Sequence, residues 1–169
     1  MSLLHRISHV FSARTIPNIV VEKTHAVTTE QNDLNWFVNR DWKSITWDDW
    51  EKHRDAIYAF SPEAFSYYLP SILSLSITRP GIWFFPADAL LGLLDRSPTV
   101  EYWDTFLTTR LVGLQMDEYE ILKEWLLLIC EYRSSEYSES ISRAFDTVNL
   151  LQKETLRVRS MVHSANRLG

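Results

Sequence analysis

The run Phe60-Ser61-Pro62-Glu63-Ala64-Phe65-Ser66-Tyr67-Tyr68-Leu69-Pro70-Ser71-Ile72-Leu73 most constrains what this chain can become. Ser61 can cap the free N–H groups of a first helical turn, Pro62 suits the first helical position, and Glu63 complements the positive helix end. Beyond Glu63 the run carries no charge. Its apolar residues Phe65, Tyr68, Leu69, Ile72, Leu73 and the following Leu75 form a wide face, as expected of a helix at the centre of a core. Pro70 lacks an N–H and crowds the carbonyl of Ser66, which predicts a kink or restart there.

The rest of the chain fits around such a helix. Only four glycines and six prolines leave little material for tight hairpins, and seven Trp, seven Tyr and eight Phe supply a large core for a single domain. The sequence therefore predicts an all-α, single-domain bundle of five to seven helices. We divide it into an N-terminal arm (1–30), a core (35–132) and a long C-terminal helix (135–165), with minor β structure confined to 18–29. Thr46 before Trp47-Asp48-Asp49-Trp50 marks another helix start, with the two Asp at its positive end. Pro80-Gly81 is the strongest break, and Ile82-Trp83-Phe84-Phe85-Pro86 reads as an apolar plug ahead of a helix from Ala87 to Leu94. A short helix over 100–106 turns Trp103 inward.

Leu111 to Tyr132 has the clearest helical period. Ile121, Leu122, Trp125, Leu128, Ile129 and Tyr132 share one face, and Asp117, Glu120, Glu124 and Glu131 share another. Cys130, the only cysteine, is expected to be a small buried hydrophobe. In the last helix Ile141, Ala144, Val148, Leu151, Thr155, Val158 and Val162 alternate by three and four. This seam packs within the chain or, alternatively, joins a homodimer through 141–162. The first fifteen residues are acid-free and amphipathic. They resemble a transit or surface-seeking segment, and the simpler expectation is a short helix packed on its own domain.

Motifs for catalysis are missing. There is no Gly-rich phosphate loop, no His-x-x-x-His beyond the isolated His5 and His9, and no nucleophile elbow. No run of roughly 18 apolar residues spans a membrane, and the arginines near the C-terminus are too few for a nucleic-acid footprint. A cytoplasmic location without a cofactor is the expectation. Charge is uneven, with ten acids against four bases over 95–139 and five bases against two acids over 140–169. An acidic face of this kind fits a basic protein partner.

Residues 60–70, together with Trp47-Asp48-Asp49-Trp50, resemble a family of small bacterial domains of unknown function carrying a Ser-Pro-Glu-Ala…Tyr-Tyr-Leu-Pro signature. The resemblance covers about residues 35–132 and brings no catalytic residues with it. By analogy, small acidic domains of this sort resemble immunity proteins that neutralise a toxin. The expected function is a non-catalytic protein-binding domain, immunity-like, using Asp117, Glu120, Glu124 and Glu131. The alternatives are a small metal-dependent hydrolase built on Glu120 and Glu124, and a homodimeric scaffold.

Overall fold

A computed structural model describes residues 1–18, 20, 29–133 and 137–165. Among them are eight α-helices: α1 (Leu3–Val10), α2 (Thr29–Phe37), α3 (Trp47–Lys52), α4 (Pro62–Thr78), α5 (Phe85–Leu94), α6 (Thr105–Leu111), α7 (Met116–Tyr132) and α8 (Ser138–Ala165). Short 3₁₀ turns follow α1 and precede α3, α4 and α6. The described residues hold no strand, and the β structure expected at 18–29 falls almost wholly outside them. The architecture is an all-α bundle.

The helices start where local chemistry places them. Thr46 accepts the Asp49 N–H while the Asp49 carboxylate accepts the Thr46 N–H at 2.9 Å, a reciprocal capping box for α3. Ser61 accepts the Ala64 N–H at 3.2 Å, and Pro62 opens α4. Asn39 adopts a left-handed conformation (φ 60°) just after α2, as asparagine tolerates better than most residues.

α4 is the axis of the bundle. All ten residues from Ala64 to Leu73 are buried, and the helix packs against α1, α5, α6 and α7. It runs from Pro62 to Thr78 as one element, so the chain does not restart at Pro70. Its neighbours dock through paired polar groups as well as apolar contact. The indole N–H of Trp50 donates to Ser71 at 3.0 Å and that of Trp125 to Ser76 at 2.8 Å, so two large buried rings leave no orphan donor. The Tyr68 hydroxyl donates to the carbonyls of Phe37 and Arg40 and satisfies the end of α2. Rings of Phe37, Trp50, Phe60 and Tyr68 pack edge-on, tilted or stacked around this point.

One apolar cluster extends from Ile7 on α1 to Leu151 on α8. Two boundaries differ from the sequence expectation. The helix expected over 111–132 begins at Met116, because α6 ends at Leu111 and Gly113 lies in the turn between them. The expected 100–106 helix is a 3₁₀ turn at Val100–Tyr102 followed by α6, whose N-cap is Asp104. The α8 seam is buried from Ile141 through Leu151 and Thr155, after which Val158 and Val162 are exposed. Packing within the chain therefore accounts for the first five seam positions.

Candidate functional site

α7 is the element on which the predicted site residues lie, and its two flanks are closed by α1, distant in sequence, and by α8, the next helix in the chain. α1 lies along one flank. Arg6 pairs with Glu124, with both side chains more than a third exposed. Arg14 donates to Glu118 through Nε at 2.6 Å and Nη2 at 2.5 Å, and to the Ser66 hydroxyl at 2.9 Å. The Glu118 carboxylate also accepts the Gln115 N–H at 2.7 Å, closing a capping box for α7. Glu118 is thus a buried carboxylate with a bidentate guanidinium and a backbone donor, the arrangement that makes a buried charge tolerable.

α8 lies along the other flank. Lys123 bonds Glu120 at 2.5 Å, and Gln152 of α8 donates to the same Glu120 oxygen at 3.0 Å. The Lys123 bond, aided by Gln152 against some burial, holds the Glu120 carboxyl below its ordinary range. Deeper in this seam the Tyr119 hydroxyl bonds the Leu111 carbonyl and lies 2.6 Å from the Thr155 hydroxyl, which donates to Val112 at 2.6 Å. Burial pushes the Tyr119 phenol up to about 12.

The four acids chosen from the sequence do share the outward side of α7, in different circumstances. Glu124 is half-buried under Arg6, Glu120 is engaged by Lys123 and Gln152, and Asp117 is exposed and accepts the Glu118 N–H at 3.0 Å. Glu131 is exposed. On the same outward side Leu127 is 57% exposed, an apolar side chain beside the carboxylates. Leu128 is half-buried and Tyr132 exposed, so the apolar face is narrower than the sequence period implies. Cys130 is exposed, contrary to its expected burial. In Leu128-Ile129-Cys130 each residue advances about 100° around the helix, and only Ile129 of the three points fully inward.

Where α1, α4 and α7 meet there is a cleft of about 640 Å³, lined among others by Arg14, Glu63, Ser66, Tyr67, Asp117 and Glu118. Arg14 is engaged by Glu118, leaving Glu63 and Asp117 as an acidic rim. Sequence reasoning passed over Arg14 and Glu118. No local signal joins two residues 104 positions apart. A second polar pair lies elsewhere, where His53 bonds Asp33 at 2.8 Å with its ring stacked on Trp36 at 4.8 Å. The ring neighbours of this pair are aromatic, and no described hydroxyl or thiol bonds it. Among the described residues no three His, Cys, Asp or Glu side chains come together to hold a metal ion, and Glu120 and Glu124 face cationic partners. Nor, among them, is any helix long and apolar enough to cross a membrane.

The apolar plug expected at 82–86 divides in two. Phe84 and Pro86 are buried, and Phe84 meets the Trp47 ring at 4.3 Å. Ile82 and Trp83, at the tip of a turn that Gly81 makes with φ 79°, are 58% and 55% exposed. Compared with protein-family models, with curated proteins and with solved structures, the chain matches none.

Proposed function

We propose that the chain is a non-catalytic protein-binding domain whose outward α7 face takes a basic partner, in the manner of an immunity protein that covers a cationic toxin site. The observation that carries this reading is Leu127, an exposed apolar side chain on a helix whose outward face also carries Glu120, Glu124, Glu131 and Asp117. An exposed apolar side chain with charged groups beside it is a combination that protein interfaces use. The pairs to Arg6 and Lys123 narrow the electrostatic part, leaving Glu131 and Asp117 without a described cationic partner. Those two would steer encounter, and Leu127 would supply the contact that excludes water.

The test is capture of a basic protein from the native host on immobilised full chain, with growth protection as the functional readout. Leu127→Asp and Glu131→Lys are expected to abolish both, and added salt to slow association. A partner retained equally by wild type and by both variants would sink the reading.

One observation favours a second reading. Leu156, Val158, Met161 and Val162 are exposed on the last turns of α8, beyond the part packed in the bundle. A homodimer would cover them. Light scattering across a concentration series decides this, and a constant monomer mass removes it.

A further inference from the structure

Opposite in character to the α7 face is a surface built around the 79–85 turn, and we infer that it docks an acidic, apolar segment of a partner protein. Its floor is aromatic. Trp83 and Tyr58 both pack on the Phe85 ring, at 5.9 and 6.4 Å, and Ile82 stands beside Trp83 at the turn tip. Its charges are two guanidinium groups lying over rings, Arg54 over Phe85 at 5.3 Å and Arg79 over Trp47 at 5.1 Å. No described carboxylate lies within ion-pairing distance of either arginine, whereas Arg6, Arg14, Arg96, Arg133, Arg143 and Arg157 all have one. Asp55 lies close enough to act on Tyr58, so the surface carries an acid at its edge as well as the two arginines.

Three properties identify the occupant. Trp, Tyr and Arg together are the residues that dominate binding energy at protein interfaces, and here they are contiguous and exposed. Each guanidinium is carried on an exposed side chain within cation–π reach of a ring, and a guanidinium can receive a carboxylate through two parallel bonds. Two arginines are fewer than the four or more basic groups that an anionic lipid surface calls on. They are enough for one acidic segment whose apolar side chains lie on Ile82 and Trp83. This surface does not depend on the α7 reading, and either can fail alone.

The experiment uses the full chain and a labelled synthetic peptide alternating Glu with Leu and Phe, followed by fluorescence anisotropy. The controls are the same peptide with Lys for Glu, and vesicles of phosphatidylcholine with phosphatidylserine. The acidic peptide is expected to bind and the basic one not. The double variant Arg54→Gln/Arg79→Gln and the single variant Trp83→Ala are each expected to weaken binding about tenfold. Leu127→Ala and Glu131→Gln should leave it unchanged. These side chains are exposed, so an unaltered circular dichroism spectrum and unfolding midpoint will show that the fold is intact. The inference is overturned if the acidic peptide does not bind, if the basic peptide binds as well, if the arginine variant binds like wild type, or if only the vesicles bind.

Discussion

Thr46 and Tyr119 illustrate two kinds of residue effect. Thr46 caps α3 at the surface, and Thr46→Ala should cost about 1 kcal/mol, read as a lower urea midpoint, with Thr46→Ser recovering most of it. Tyr119 acts from inside. Burial holds its phenol neutral to about 12, whereas an unfolded tyrosine ionises near 10. Between those values the folded chain keeps a proton that the unfolded chain has lost. Stability is therefore complete below about pH 10 and falls as the pH rises towards about 12. Denaturant titrations across this range should show the decline, and Tyr119→Phe should flatten part of it. If the variant declines as steeply as wild type, Tyr119 is not the group responsible. The caps of α3 and α4 were legible in the sequence because each uses residues three apart. The exposure of Cys130 and Trp83 was not, because an apolar run does not say which of its members faces outward.

The helices differ in what fastens them. Arg14 and Arg6 both bind α7 carboxylates, but Glu118 is 2% exposed and Glu124 39%. Removing Arg14 leaves a buried charge unpaired, so Arg14→Ala should cost about 3 kcal/mol, and adding Glu118→Gln should return part of it. Arg6→Ala should cost well under about 1 kcal/mol, since water screens that pair. Equal losses for the two would show that burial does not separate them. Along α8 the same reasoning divides one seam. Leu151→Ala should cost about 2–5 kcal/mol and Val158→Ala close to nothing, because the first is enclosed and the second exposed. The period of the seam was plain in the sequence. Its end at Thr155 was not, because that depends on how far the helices beneath it reach.

For the molecule as a whole, the all-α class follows from scarce glycine and sustained helical periods, and α4 as the buried axis follows from its uncharged aromatic run. Which helix lies beside which does not follow, because those choices are made by contacts such as Arg6 with Glu124, 118 residues apart. The same gap hid the candidate site. The acids of α7 were visible, but the cations that neutralise some of them, and the bare arginines on the other surface, emerge only on folding. The distance between α1 and α7 also bears on synthesis. On a ribosome, Ile7 and Phe11 emerge long before α7 exists to help cover them. Until more than a hundred further residues have been translated, Arg14 also lacks the carboxylate that fixes it. Between the synthesis of α1 and that of α7, the nascent chain must carry an apolar helix face without the partner that covers it. A stalled chain that ends before Met116 would expose that helix to chaperones, whereas one that runs past Tyr132 could lock it away.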